Sequence, residues 1–413
     1  MASISFQQVL SHGCGMDIHK EVVVATVRIP GYECTKEFKT FTSSLTELRD
    51  WLVSLGVTHV AMESTGVYWK PIFNVFEGHI RNIWIVNARH VKHVPGRKTD
   101  RLDSEWLCRL LMAGLLKPSF IPPREMRELR DLTRFRRKLI QQVSANKNRI
   151  IRTLEDGNVK LSSVLSDTSG KTATALIEML CDGKSITLQD VESVRHSRCH
   201  HTSEDMLEAC TGYMSPHKIY MLQKIRSCNR KLQSEIEELD QHIKSIYAPY
   251  QGVLDMLCKI PGIRNRVCED LIAEIGLDMS RFPTEGHLCK WAAMCPGNNE
   301  SAGKKKSANT GHGDRHVKAV LTEAAWAASR TKDTFFAERY GRLAYRKGAK
   351  KALIAVGHSI LTSVYHVLST GEPYKELGAR YVPEKIATKR KKYLKEELQK
   401  LGYEVVLTRK DAN

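Results

Sequence analysis

The chain has 413 residues, too many for one ordinary core, so two or three domains are expected. Its 64 Lys+Arg against 46 Asp+Glu leave a formal charge of +18, a field that nucleic acid or an anionic membrane surface would answer. The opening MASISFQQVLSHGCG lacks the basic and apolar regions of a secretory signal, and eleven cysteines without a CxxC pair read as reduced thiols in a cytoplasm.

The most apolar late stretch, Leu353 to Leu368, is interrupted by His358, Ser359, Thr362, Ser363 and His366. It reads as too short and too polar to span a bilayer, so no membrane is expected and nucleic acid is the favoured partner. Aromatics at 7% announce no stacking platform. The patch His196, Cys199, His200, His201 lacks the two spaced ligand pairs of a zinc site and reads as a polar loop.

From the N-terminus, Asp17 opens the first strand and Val22 to Val27 is a buried-strand run. Lys36 to Phe41 alternates like its hairpin partner, and Leu45 to Leu55 has helical spacing. His59 to Glu63 and Asn82 to Val86 read as further strands, and Asp100 to Leu116 as a helix ended by Pro118. Strands interleaved with helices predict an α/β domain.

Residues 123–158 form a long helical pattern carrying Arg124, Arg127, Arg130, Arg134, Arg136, Arg137 and Lys138. A solvated basic face and a phosphate-tracking helix both fit it. Residues 159–214 carry no assignable chemistry. From 217 a heptad follows at Leu222, Ile225, Asn229, Leu232, Ile236, Leu239, Ile243 and Ile246. Paired with the arginine helix it predicts an antiparallel coiled-coil stalk or a dimer interface. Leu257 to Ile263 leads into a helix from Val267 to Ile275 like a helix-hairpin-helix turn, with Arg264 in place of the usual second glycine. Helix packing alone explains that turn equally well. Residues 318–370 are helical, and Lys389 to Lys392 is a solvated or DNA-contacting charge run.

Four acids stand out. Asp17 and Glu63 lie at strand ends, and Asp100 and Asp103 are one helical turn apart. Carboxylates there need compensation, and divalent ions about 3.5–4 Å apart would supply it while clamping a phosphoryl group. All-oxygen donors suit Mg²⁺ or Mn²⁺. On pattern alone an Asp-x-x-Asp also fits a helix N-terminal charge, with Asp100 as a cap. Ser301 is followed by the small residues Ala302 and Gly303 and then by Lys304, Lys305 and Lys306. That basic loop offers a nucleophile in a positive field, although serines in basic loops are common on surfaces.

The segments Gly15-Met16-Asp17-Ile18-His19-Lys20, Ala61 to Trp69 and Lys98 to Leu107 resemble the DEDD transposases of bacterial insertion sequences, relatives of the Piv DNA invertase. Pro261 to Gly276, Pro296 to Gly303, Thr310 to Asp314 and Leu321 to Arg330 are similar to that family's C-terminal transposase domain. Asp167 to Gly183 and Tyr374 to Tyr381 match its longer members.

The resemblance implies a fold of α/β plus all-α class. It has a RuvC-like, RNase H-fold N-terminal domain (10–122), a helical coiled-coil linker (123–250), a C-terminal transposase domain (251–375) and a basic tail (376–413). It maps a metal-holding tetrad onto Asp17, Glu63, Asp100 and Asp103, and a catalytic serine onto Ser301, with Ser307 the nearest rival. It implies cutting and rejoining of donor and target DNA, guided by a bridge RNA made from the element, in a bacterial cytoplasm close to the nucleoid. Arg134, Arg136, Arg137 and Lys304 to Lys306 are the expected nucleic-acid contacts, and a homodimer or tetramer the expected assembly. Two other functions stay open: a RuvC-like metal-dependent nuclease without a covalent intermediate, and a non-catalytic nucleic-acid-binding protein.

Overall fold

By its contacts the chain divides into two units, Met1–Ile121 and Pro122–Asn413. The computed structural model describes residues 8–63, 66–87, 100–297, 299–301, 304–307, 310–311 and 313–406. For 100–102, 299–301, 304–307, 382–383 and 385–386 only the backbone is described.

In the first unit β1 (Gly13–Ile18), β2 (Val22–Ile29) and β3 (Tyr32–Lys39) form an antiparallel meander. After α1 (Thr42–Ser54), β4 (His59–Glu63) pairs parallel with β1. After α2 (Trp69–Phe76), β5 (Asn82–Val86) pairs parallel with β4, giving the order β3-β2-β1-β4-β5. One face of the sheet, with Cys14, Met16, Val60, Met62 and Ile85, packs on Leu45, Leu48 and Leu52 of α1 and Ile72, Phe73 and Phe76 of α2. The other face, with Ala61 and Val86, is covered by Leu107, Leu110 and Leu111 of α3 (Asp100–Met112). Alternation along each strand sorts residues to these two layers.

The structure corrects the expected start of the sheet. Gly13–Ile18 is itself the central strand, and Asp17 stands near its end rather than at the opening of a first strand. Glycine disfavours a strand, which hid β1 in the sequence. Its presence has a packing cause. A Cβ on Gly15 would lie 2.3 Å from Cys108 N and 2.5 Å from Ser104 O, so α3 rests directly on the strand's backbone. A buried hydrogen bond of 2.8 Å between the hydroxyls of Thr26 and Ser104 pins the same contact.

Among its described residues, the regular structure of the second unit is helical apart from one small hairpin with its Pro296–Thr310 bridge. α4 (Arg124–Asp156) is followed by four short helices, α5 (Leu161–Val164), α6 (Lys171–Cys181), α7 (Leu188–Val194) and α8 (Ser203–Cys210). α9 (Pro216–Tyr247) then returns along α4. Lys218 meets Asp156 at 3.1 Å, Asn146 meets Cys228 at 3.6 Å, and Arg136 meets Asp240 at 2.9 Å. Partner numbers fall on one side as they rise on the other, so the pair is antiparallel. The predicted seam faces inward: Leu222, Ile236 and Ile243 are buried, and Ile225, Asn229, Leu232, Leu239 and Ile246 are half-buried. Each fully buried Ile or Leu contributes about 1.5–3 kcal/mol. The short helices cap the far end of the pair around Leu154, Leu161, Leu176, Ile177, Met206 and Leu222. Residues 159–214 are therefore a packed helical cap, its α7 and α8 opened by capping boxes at Thr187/Asp190 and Thr202/Asp205.

Beyond α9 come α10 (Gln251–Leu257), α11 (Asn265–Ile275) and α12 (Glu285–Trp291). The antiparallel strands β6 (Asn299–Ser301) and β7 (Lys304–Ser307) follow, then α13 (Arg315–Ala328), α14 (Phe335–Lys347), α15 (Ala349–Thr370) and the exposed α16 (Tyr381–Lys400). In the turn between α10 and α11, Gly262 has φ +89°, and a Cβ there would lie 2.2 Å from Ala324 O of α13. Packing on α13 accounts for this glycine. α15 is longer than the sequence suggested: among the described residues it is long and apolar enough, by length and composition alone, to cross a membrane. Its stripe of Ala352, Val356, Ile360, Leu361, Val364 and Val367 is buried within the unit.

Candidate functional site

The acids come first. β1 and β4 run parallel in the register Gly15↔Ala61 and Met16↔Met62. One more step puts Asp17 beside Glu63, on strands about 4.8 Å apart. Both share the parity of Gly15 and Ala61, so both belong to the face covered by α3. The helix runs antiparallel to β1, because a Cβ on Gly13 would meet Met112 and one on Gly15 would meet Ser104 and Cys108. Its first turn, from Asp100 to Asp103, therefore extends towards the end of β1 that bears Asp17. A strand without side chains at 13 and 15 is what lets the acid-bearing turn come this close.

The carboxylates are partly enclosed. Asp17 is 20% exposed, and its Oδ2 lies 3.0 Å from Nε2 of His19. Glu63 and Asp103 are half-buried, and the side chain of Asp100 lies outside the described residues. Among the described residues no group of three or more His, Cys, Asp or Glu stands ready to hold a metal ion. The topology brings Asp17, Glu63 and the Asp103 turn to one edge of one sheet without gathering them into a cluster. The donor set, oxygen throughout, is of the kind that Mg²⁺ and Mn²⁺ take.

Ser301 ends β6, opposite Lys304, at the closing pair of the hairpin. Pro296 and Thr310 bridge the two limbs below it. The base is fixed in three ways. Lys318 of α13 donates to Thr310 Oγ1. Gly313 fits where a Cβ would lie 2.3 Å from Trp291 O. Asp314 caps α13, accepting from His316 N at 2.7 Å and Val317 N at 3.0 Å. The side chains of Ser301, Lys304, Lys305 and Lys306 are outside the described residues.

The arginines of α4 differ most from expectation. Arg136 is buried, 1% exposed, and reaches Asp240 at 2.9 Å, Glu269 at 2.6 Å and Asp270 at 2.7 Å. Arg134 takes Glu274 with both ends of its fork, at 2.7 and 2.9 Å, and Asp314 at 3.3 Å. Arg130 reaches the same Glu274 at 2.8 Å, and Arg137 holds Glu323. Burial alone would depress the Arg136 guanidinium, but Asp270 and Glu269 outweigh it and hold its pKa above the usual value. Burial pushes Glu274 and Asp270 upward against the pull of these arginines. Arg136 is closed to phosphate in this fold, and the forks of Arg134 and Arg137 are already engaged. These side chains brace the unit, and Arg134 ties α4 to the Asp314 cap at the base of the serine hairpin. The sequence reading missed their partners. The available signal was Glu269, Asp270 and Glu274 inside the apolar helix Val267 to Ile275, where buried carboxylates demand cations.

Two transposase family models match the chain. A DEDD transposase model of the IS110 group matches residues 14–158, a span that contains Asp17, Glu63, Asp100 and Asp103. A transposase model of the IS116/IS110/IS902 family matches residues 254–341, a span that contains Ser301. Together they cover more than half of the chain. A search of curated proteins gave no match.

Proposed function

The chain belongs to the IS110 family of DEDD transposases, enzymes that cut and rejoin DNA, and from that premise we propose that it works through a carboxylate tetrad and a serine nucleophile. The observation that carries the reading is the docking of α3 on Gly15, which brings the Asp100–Asp103 turn towards Asp17 and Glu63. The mixed sheet with acids at this edge supports a RuvC-like first domain.

Asp17, Glu63, Asp100 and Asp103 would hold one or two Mg²⁺ or Mn²⁺ ions. Such ions supply Lewis-acid stabilisation of a phosphoryl oxygen. The hydroxyl of Ser301 attacks phosphorus: its Oγ–P bond forms, the P–O bond to the leaving strand breaks, and the serine proton departs to a base. The ester keeps the energy of the broken bond for rejoining. Lys304 to Lys306 offset the charge that develops. In this reading a bridge RNA guides the choice of donor and target DNA. The enzyme acts in the cytoplasm at the nucleoid, as a dimer or tetramer in which the tetrad of one subunit serves Ser301 of another. The second unit is proposed to divide into helical linker, serine-bearing domain and basic tail.

Ser301→Ala and Asp17→Ala are expected to bind nucleic acid normally and to lose strand cleavage. Active protein on nicked DNA should yield a covalent adduct at Ser301, and a mixture of the two inactive variants should recover part of the activity. Near-normal recombination by Ser301→Ala, or an adduct at Ser307, would falsify the serine assignment. Cleavage with no adduct at all would favour a hydrolytic nuclease.

A further inference from the structure

A second set of arginines, on α13 and α14, lacks what those on α4 have. Arg339, Arg342 and Arg346 recur at i, i+3 and i+7 along one face of α14, and Arg330 follows the end of α13. Among the described residues none of the four is paired with a carboxylate. Arg339 and Arg342 are half-buried, and the Nε of each is buried with no hydrogen-bond partner. A buried guanidinium N–H without an acceptor is costly, and two like charges one turn apart repel. Burial first, and Arg342 next, depress the pKa of Arg339. His358 of α15 is depressed by burial and then by Arg339, with Glu285 acting the other way. The face is thus cationic and unmatched by any carboxylate among the described residues, with Arg339 and Arg342 half-buried and Arg346 exposed.

Aromatic rings stand beside it. The Arg330 guanidinium lies 4.2 Å from the centroid of the Trp326 ring, and Tyr340 meets that ring edge-on at 6.4 Å. Trp326 is 42% exposed, and Tyr345 is 95% exposed. An exposed tyrosine between Arg342 and Arg346 has no packing role in this unit. Planar guanidinium forks match phosphate oxygens, and exposed rings and guanidinium planes stack bases.

We propose that this face of α13 and α14 binds unpaired nucleotides, with Arg339 and Arg342 on backbone phosphates and Tyr345 and the Arg330–Trp326 stack on bases. Unpaired strands are favoured over duplex because base faces are free to stack only where pairing is absent. An RNA loop and a displaced DNA strand offer the same chemistry. The inference rests on the family's action on DNA but not on the identity of the nucleophile or the metal.

The test is equilibrium binding of the full-length chain to labelled single strands of about 16 nucleotides, as RNA and as DNA, and to the corresponding duplex. The double variant Arg339→Gln/Arg342→Gln should bind single strands about tenfold or more weakly. Its log–log salt slope should be shallower by about 1.4, from two phosphates at about 0.7 each. Tyr345→Ala should cost about tenfold with its slope unchanged, since stacking carries no counterion release. Arg339→Lys/Arg342→Lys should keep most of the slope. The larger loss, on RNA or on DNA, identifies the natural strand. Unchanged affinity and slope in the Gln and Ala variants overturn the site, and so does an equal loss on duplex. Because the readout is binding, a serine adduct that still forms under either result leaves the proposed chemistry standing.

Discussion

Two arginine-bearing helices in the second unit, α4 and α14, look alike in sequence and differ in whether carboxylates meet their buried arginines. On α4 the guanidinium groups of Arg134 and Arg136 are turned inward and matched by Asp240, Glu269, Asp270, Glu274 and Asp314. On α14 Arg339 and Arg342 are half-buried with Nε atoms that no acceptor meets. A count of positive charge therefore says nothing about which charges face a ligand. What separates the two sets is the sign of the helix packed against them, and that helix is more than a hundred residues away from α4 in the chain.

The comparison breaks most directly at Arg136. Arg136→Ala leaves Glu269 enclosed without its cation and Asp270 with only Arg137 at 3.9 Å, and the expected loss is about 3–5 kcal/mol of unfolding free energy in urea. Arg339→Gln with Arg342→Gln should stay within about 0.5 kcal/mol of the parent in the same titration. Equal losses from the two sets would erase the distinction between a brace and a binding face.

Acid sharpens the contrast next. His316 sits beside the Asp314 cap, and burial first, then Arg134, hold its pKa below the ordinary value. The folded unit prefers it neutral. The stability it contributes is present above the ordinary histidine pKa, near about 6.5, and is lost as pH falls below it. The melting temperature should drop between pH 7 and pH 5, and His316→Gln should flatten that drop. A His316→Gln profile as steep as the parent's would assign the acid sensitivity elsewhere.

The smallest effect marks the limit of the α4 brace. Arg124 pairs with Glu128 at 3.1 Å, but the two side chains are 77% and 67% exposed. Arg124→Ala should change stability by no more than about 0.5 kcal/mol, read from the same urea midpoint.

The heptad on α9 was legible because an apolar seam is a local property: its period follows from helix geometry, and no distant partner is needed to read it. Asp17, Glu63, Asp100 and Asp103 could be picked out by resemblance and by their places at element ends. Their common edge could not be seen, because it depends on α3 resting on Gly15, a contact across almost ninety residues. β1 was hidden by its own glycines. The inward turn of Arg134 and Arg136 was hidden because their carboxylates lie 104 to 180 residues further on. Residues 159–214 showed no chemistry in sequence and have a structural role in the fold, as the cap on the α4–α9 pair.

That pair has a metrical consequence. α4 is 33 residues of uninterrupted helix, and its return partner is 32. Arg134 stands at the base of the serine hairpin and Leu154 in the core of the cap, so about 30 Å of rigid rod separates the two at 1.5 Å per residue. Along a duplex that is about nine base pairs at 3.4 Å each. The helical pair is a spacer of fixed length and fixed phase: one residue inserted in both helices would carry the cap about 1.5 Å further out and turn it by about 100° about the rod, so length and facing cannot be changed independently.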